Sequence, residues 1–294
     1  MSWGTKTIKK KPKPGAAPSD SKPSKQSLGL FRRARDTDLK NRTRPAIAVY
    51  GHPGTGKTHF FTTFPGVKFY IGTENGLFPI LSEKQIEDED LFVIELLEEG
   101  FDNREVMKRS KDGTISIDPI AVMDRFAEAI YEVKKYVVAN PNQEVSVCID
   151  DWGTLWDIAK KWRAEKFAAY VKEDDKREMM RLGIGIGLLG GWDDANSWAT
   201  TSALVTDPLY YLKSLNVNLL LTAKMKVIET REGTEVIPDW YKKTERIADI
   251  VLRSLYDGAF KMTIVKARNK LKRSLIGKEI VNPTFEKLMK LVRE

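Results

Sequence analysis

A glycine-rich stretch, GHPGTGKTH at residues 51–59, carries the clearest chemical pattern in the sequence. It fits G-x-x-x-x-G-K-[ST], with Gly51, Gly56, Lys57 and Thr58 at the defining positions. Glycines in this pattern let successive backbone N–H groups face phosphate oxygens, and the N-terminus of the following helix adds partial positive charge. The lysine is expected to reach the β- and γ-phosphates, and the threonine hydroxyl to bind Mg²⁺. The stretch therefore predicts a site for ATP and Mg²⁺, with further contacts from His52, Pro53, Gly54, Thr55 and His59.

Acidic residues at two predicted strand ends could complete such a site. Asp150 follows the apolar run 145–149, where a side chain emerges at the carboxyl edge of a parallel sheet, beside the phosphate loop. We expect it to bind Mg²⁺, usually through water, and Asp151 to cap the next helix, although capping is also the simpler interpretation of Asp150. Glu74 follows a second apolar run, 67–71, and could orient a water molecule towards the γ-phosphate. An exposed loop glutamate is an equally good interpretation of Glu74, and whether Glu74 or Asp151 positions the water stays open.

Predicted strands and helices alternate along the chain, and this order would position the candidate residues. The apolar segments expected to form buried strands are 46–50, 67–71, 145–149 and 217–222. The expected helices are 59–64, 119–139, 155–181, 195–215 and a last one that opens at 282–283. Residues 250–255 and 260–265 flank Asp257 and Gly258, which predicts a β-hairpin. The pattern predicts an α/β fold with a mostly parallel sheet, helices on both faces and an antiparallel hairpin at one edge.

Composition and charge limit the classes of function. The 294 residues include a single cysteine, Cys148, so an internal disulfide is excluded and a reducing, cytoplasmic compartment is expected. One cysteine and two histidines cannot build a zinc site of the usual kind, and no apolar run approaches the ~18 residues that a membrane helix needs. Residues 1–44 hold 13 lysines and arginines against three aspartates, a net charge of +10, so residues 45–294 carry −2 of the total of +8. We expect 1–44 to be a disordered basic tail, either solubilising or a tether for a polyanion or an acidic partner, and 45–294 to be one domain.

A second glycine-rich segment, GIGIGLLGG at residues 183–191, contains a literal G-x-G-x-x-G. That motif binds dinucleotides only where it follows a strand, but the preceding KREMMRL is charged and helix-like. We therefore interpret 183–191 as a mobile glycine loop and not as a dinucleotide site.

The order of these parts resembles the RecA-like ATPase core. That core has a strand and phosphate loop, a second strand with a glutamate just beyond it, and an apolar strand that ends in aspartate. FYIGTENGL (69–77) and VCIDDWGTLW (147–156) resemble the glutamate and metal-binding segments of that family. More narrowly, the chain is similar to phage-encoded RecA-like nucleotide-binding proteins, some of which act as single-strand annealing proteins. The segments that carry this narrower resemblance, which spans roughly residues 45–270, are GWDDANSW (191–198), NVNLLLTAK (216–224) and ADIVLRS (248–254).

The resemblance implies roles for residues nearer the C-terminus. Thr222 takes the place of a polar residue that senses the γ-phosphate, although RecA itself has an amide side chain there. Segment 223–247 falls where RecA-like proteins carry a DNA-binding loop, with Trp240 and Tyr241 among its cations but a net charge of only about +1. A solvated surface loop is the equal alternative for this segment, and 183–191 is a weaker second candidate. The basic residues expected to cross to the nucleotide of a neighbouring subunit are Lys266, Arg268 and Lys270.

These features together predict an ATP-hydrolysing RecA-like protein that acts on single-stranded DNA in phage-type recombination, annealing or replication. The resemblance implies a homo-oligomer, as a ring or a filament, in the cytoplasm of a host cell, with a single-strand-binding protein or other replication protein as a further partner. Three alternatives stay open: a hexameric helicase or translocase motor, a nucleotide-gated regulator that binds protein, and a small-molecule phosphotransferase. No arginine-rich lid stands out for the last of these.

Overall fold

The computed structural model describes residues 44–99, 105–109, 112–170, 192–230, 233–268 and 273–293. Its strands are β1 (Ala46–Gly51), β2 (Val67–Gly72), β3 (Leu91–Glu95), β4 (Met107–Arg109), β5 (Ile115–Ile117), β6 (Val145–Asp150), β7 (Asn218–Ala223), β8 (Met225–Thr230), β9 (Gly233–Pro238), β10 (Ile250–Tyr256), β11 (Phe260–Ala267) and β12 (Glu279–Val281). Its helices are α1 (Lys57–Thr62), α2 (Glu83–Ile86), α3 (Pro119–Ala139), α4 (Trp152–Tyr170), α5 (Trp192–Ser214), α6 (Thr244–Ile247) and α7 (Phe285–Arg293). The predicted basic tail, apart from Arg44, and the predicted glycine loop 183–191 lie outside the described residues.

Eight of the described strands form one sheet, in the order β12-β11-β10-β1-β7-β6-β2-β3. The six neighbouring strands from β10 to β3 are parallel, and β11 and β12 add to them in antiparallel orientation at one edge. Hairpins β4–β5 and β8–β9 form two small separate sheets. The predicted α/β class, with a mostly parallel sheet and an antiparallel hairpin at one edge, is confirmed, because β10 and β11 are the predicted hairpin.

Alternation along the buried strands divides the core into two layers. On β1, Ala46, Ala48 and Tyr50 join one apolar cluster with residues of α3, α4 and α5. Ile47 and Val49 belong instead to the cluster that contains residues of α1 and α7. Helices therefore cover both faces of the sheet, as predicted, and β1 is apolar throughout because neither of its faces meets water.

The strand order brings several polar residues to one edge of the sheet. Because β7 lies between β1 and β6, Thr222 near the end of β7 is placed beside Asp150, the last residue of β6. On the other side of β6, Gly72 of β2 lies opposite both Asp150 and Glu95, the last residue of β3. This carboxyl edge is where ligands bind in open parallel sheets.

One segment needs correction. Residues 223–247, predicted as a loop, instead extend β7 by one residue and form the β8–β9 hairpin and the short helix α6. The hairpin residues Val227 and Val236 are exposed, and its cross-strand backbone ladder defines it. Its valines and isoleucines stand in adjacent pairs, Val227–Ile228 and Val236–Ile237, so the alternation typical of a half-buried strand is weak.

Other differences concern element limits and short strands. Edge strand β3, hairpin β4–β5 and β12 were not predicted, because each is short and only partly buried. Helix α4 begins at Trp152, three residues before the predicted start, and is described as far as Tyr170. Helix α3 follows the predicted cap: the Asp118 carboxylate accepts from the backbone N–H groups of Ile120 and Ala121, and Pro119 takes the first helical position.

Cys148 lies inside β6 and is fully buried, and this burial raises the pKa of its thiol. Among the residues with described structure, no helix is long and apolar enough to cross a membrane.

Candidate functional site

The glycine-rich loop joins β1 to α1, as its pattern predicts. Gly56 has φ +80°, a left-handed conformation that favours glycine, and a Cβ atom there would lie 2.9 Å from Cδ1 of Phe260. The Thr55 hydroxyl donates to the backbone carbonyl of His52 at 2.7 Å and lies 2.7 Å from the hydroxyl of Ser254 on β10. The loop is therefore closed on itself and fixed to a neighbouring strand.

Lys57 folds back onto its own loop. Its ammonium group donates to the backbone carbonyls of Gly51 at 3.0 Å and His52 at 2.8 Å. Burial lowers the pKa of Lys57, and the nearby carboxylates, led by that of Asp150, act in the opposite direction. An anion in the loop would compete with these two carbonyls for hydrogen bonds from the ammonium group and with the nearby carboxylates for its charge.

The Asp150 carboxylate is buried and accepts three hydroxyl hydrogen bonds. Thr58 donates to Oδ2 at 2.6 Å, the Tyr70 hydroxyl donates to the same oxygen at 2.9 Å, and Thr222 donates to Oδ1. Burial, followed by the charge of Asp150, raises the pKa of Tyr70 far above its usual range, so Tyr70 remains a donor. Thr58 and Asp150, predicted from distant parts of the sequence to share a metal, are therefore in direct contact.

This pair fits Mg²⁺ by its chemistry. A hydroxyl and a carboxylate are hard oxygen donors, and Mg²⁺ usually takes one or two protein ligands together with phosphate oxygens and water. Within the described ranges, no group of three or more His, Cys, Asp or Glu side chains is arranged to hold a metal ion. A Mg²⁺ ion bound by Thr58 and Asp150 would therefore take its other ligands from phosphate and water.

Asp151 has the predicted capping role. Its carboxylate Oδ1 accepts from the backbone N–H of Gly153 at 2.7 Å, at the start of α4, and its own N–H donates to the Thr73 hydroxyl at 2.9 Å. Burial raises the pKa of Asp151 to about 6, against the opposing effect of the Gly153 hydrogen bond. Asp151 also lines the cavity described below, so the geometry leaves it next to any ligand bound there.

Glu74 lies just beyond β2 and forms an ion pair with Lys224, the residue between β7 and β8. The Thr154 hydroxyl donates to Oε1 of Glu74 at 3.3 Å. Hydrogen bonding to Glu74 is the largest cause of the raised pKa of Lys224. The candidate base is thus held by a cation that the sequence interpretation had assigned to a DNA-binding loop.

A cavity of about 470 Å³ unites these groups. Its lining includes six residues of the phosphate loop and the start of α1, together with Glu74, Asp150 and Asp151. The lining residues that the sequence did not predict for this site are Gly76, Ile80, Lys224 and Phe260. Phe260 stacks on His59 with ring centroids 6.3 Å apart and an interplanar angle of 27°. Sequence spacing carries no indication of Phe260, because the β10–β11 pairing brings it to the loop from about 200 residues away.

Some predicted residues lie outside the lining of this cavity. Thr222 is fully buried and contacts Asp150, so it acts on the cavity through that carboxylate. Lys266 and Arg268 donate to the backbone carbonyls of Glu245 and Arg246, respectively, in or beside α6. Lys270, predicted to act with them, lies outside the described residues.

A further carboxylate beside the site has no described hydrogen-bond partner. Both oxygens of Glu95 are buried and unpaired within the part of the chain that the structure describes. The side chain lies over Gly72, where a Cβ atom would come 2.0 Å from Oε2 of Glu95. Burial, followed by the charge of Asp150, raises the pKa of Glu95 to about 7.

Comparison with models of known protein families and with curated proteins found no match for this chain.

Proposed function

We propose that the chain is a RecA-like ATPase that binds ATP with Mg²⁺ in the 470 Å³ cavity and hydrolyses it. The observation that carries the proposal is the 2.6 Å contact between Thr58, the last residue of the phosphate-loop pattern, and Asp150. These residues are 92 positions apart in sequence, and the local sequence around each predicts a Mg²⁺ ligand. The contact supports the proposal, because a chance match to the loop pattern gives no reason for a carboxylate beside its threonine.

The polar groups of the cavity would each have a role in ATP hydrolysis. Backbone N–H groups of the loop and the N-terminus of α1 hold the phosphates, and Lys57 leaves its two carbonyls to reach the β- and γ-phosphates. Glu74 accepts a proton from the attacking water once it is free of Lys224. Thr58 and Asp150 would hold Mg²⁺, which neutralises charge on the phosphates.

We also propose that the protein binds single-stranded DNA and uses ATP turnover while it is bound there. Support comes from the β8–β9 hairpin, which starts three residues after Thr222 and exposes the side chains of Lys226, Val227 and Val236. The proposal extends also to assembly of several copies, in which Lys266 and Arg268 approach the nucleotide of a neighbour. Support for that step is the exposure of Arg268, the partial exposure of Lys266, and the separation of both from the cavity of their own chain.

ATP turnover by wild type and Lys57→Ala, with and without single-stranded DNA at two salt concentrations, tests the proposal. We expect turnover in wild type and its loss in Lys57→Ala, because no other group in the loop can replace the ammonium charge on the phosphates. DNA should raise turnover, and the stimulation should weaken as salt rises, because cation–phosphate contacts release counterions. Lys84→Ala, in the exposed helix α2, is the matched control and should behave as wild type.

Two results would contradict different parts of the proposal. Equal turnover in wild type and Lys57→Ala would overturn the ATPase assignment. Normal turnover that DNA does not change, together with no retention of DNA by the protein, would overturn the DNA assignment and favour a regulator that binds protein.

A further inference from the structure

Two lysines line the cavity, and they are held in different ways. Lys57 is held by neutral carbonyls of its own loop, whereas Lys224 is paired with the Glu74 carboxylate. The Lys224 and Glu74 side chains are 45% and 46% exposed, so the pair is open to solvent and its partners can be exchanged.

A bound triphosphate changes the electrostatic balance around Lys224. The cavity already contains the carboxylates of Glu74, Asp150 and Asp151. A terminal phosphate carries more negative charge than one carboxylate, so at equal distance it attracts an ammonium group more strongly. A diphosphate has no terminal group at the γ position and leaves the lysine with its carboxylate. The identity of the nucleotide therefore selects the partner of Lys224.

Lys224 is also the attachment point of the β8–β9 hairpin. Its backbone carbonyl accepts from the N–H of Asp239 at 2.8 Å, immediately beyond β9. Two residues further along the chain, the Lys226 ammonium pairs with the Asp239 carboxylate at 2.7 Å. The hairpin forms a sheet separate from the central one. Its base is held by Lys224, which also lines the cavity, so this residue connects the hairpin to the cavity.

We propose that Lys224 is a γ-phosphate-dependent switch: it pairs with Glu74 in the nucleotide-free site and with the terminal phosphate of a bound triphosphate. The exchange frees Glu74 to act on water and moves the backbone from which the β8–β9 hairpin starts. This inference rests on the proposed ATPase function and adds to it a residue that couples the cavity to the hairpin.

Binding and hydrogen-exchange measurements on wild type, Lys224→Met and Lys224→Arg test the switch. The probes are a non-hydrolysable ATP analogue and ADP, each with Mg²⁺, and the readouts are the ratio of their Kd values and amide exchange in residues 225–238. In wild type, the analogue should change exchange in the hairpin and ADP should not. In Lys224→Met, preference for the triphosphate should fall about tenfold, the effect expected on losing one charge-assisted hydrogen bond, and the hairpin response should disappear. Lys224→Arg keeps the charge and should keep both properties.

Lys108→Met is the matched control. Lys108 forms a long-range ion pair with Glu165 at 2.9 Å, and both side chains are 41% exposed, close to the values for the Lys224 pair. This variant should match wild type in both readouts. If wild type binds the analogue and Lys57→Ala does not, yet Lys224→Met keeps the nucleotide preference and the hairpin response, the switch is overturned and the ATPase proposal stands. If wild type binds no triphosphate, both fail.

Discussion

Asp150 and Glu95 occupy equivalent places in the sheet and have opposite surroundings. Each is the last residue of a parallel strand, each is buried, and each lies opposite Gly72 of β2. Asp150 accepts hydroxyls from three other elements, whereas Glu95 has no hydrogen-bond donor among the described residues. The sheet edge alone therefore does not make a carboxylate site: the hydroxyl donors around Asp150 stabilise its charge, and their absence destabilises that of Glu95.

The largest expected effect comes from removing the charge of Asp150. Asp150→Asn replaces a carboxylate oxygen by a neutral amide and should lower kcat for ATP by about 100-fold or more, because the proposed Mg²⁺ site would lose the charged member of its Thr58–Asp150 pair. Steady-state ATP turnover at saturating Mg²⁺ measures the change. Asp157→Asn, an exposed position on α4, should keep wild-type turnover. An Asp150→Asn protein that is folded and retains more than about a tenth of the turnover contradicts the assignment.

The next effect concerns Glu95 and depends on pH. The folded-state pKa is raised to about 7, above the unfolded value of about 4.3, so between these pH values the folded state binds more protons than the unfolded state. Rising pH therefore lowers the free energy of unfolding through this residue. Glu95→Gln removes that effect and should stabilise the protein at about pH 8, by as much as about 3 kcal/mol, with little difference near pH 4.

Urea unfolding of wild type and Glu95→Gln at both pH values measures this difference. Glu87→Gln, on the exposed surface beyond α2, is the control and should show no such pH dependence. Equal stabilisation at both pH values would mean that packing of the amide, and not loss of a buried charge, is responsible.

The smallest expected effect comes from removing one hydroxyl donor of Asp150 while its carboxylate stays in place. Tyr70→Phe deletes one of the three donors and should lower the free energy of unfolding by about 1 kcal/mol, since two donors remain. Tyr136→Phe deletes the hydroxyl that donates to Gln143 at 2.7 Å on the surface, and should cost less because water replaces that bond. Chemical denaturation of both variants tests the order of the two costs, and the reverse order would contradict the stabilising role of the hydroxyls.

The same contrast shows what the sequence could predict. Asp150, Glu74 and the phosphate loop follow buried strands, and strand ends of a parallel sheet meet at one edge, so their proximity follows from local pattern. Thr222 was selected by resemblance and does contact Asp150, although its expected role in sensing phosphate stays a prediction. The α/β class followed from the alternation of apolar segments and helices.

Other site residues could not be predicted, because their positions depend on long-range pairing. Phe260 reaches the loop through the register of β10 and β11, and Glu95 ends an edge strand whose flanking residues are strongly charged. The sequence marks Lys224 only as one cation of the segment expected to bind DNA, since no local pattern shows which partner a residue at a strand end will have. Tyr70 looks like an ordinary strand aromatic, and only the neighbouring β6 gives its hydroxyl a partner.

The burial of Cys148 makes this protein well suited to site-specific labelling. The chain contains no other cysteine, and the raised pKa and complete burial of Cys148 keep its thiol unreactive in the folded state. A cysteine introduced at an exposed hairpin position such as Val227 would be the one thiol that a fluorophore can reach, with no background substitution required. Movement of the hairpin could then be followed in real time by fluorescence from an otherwise native protein.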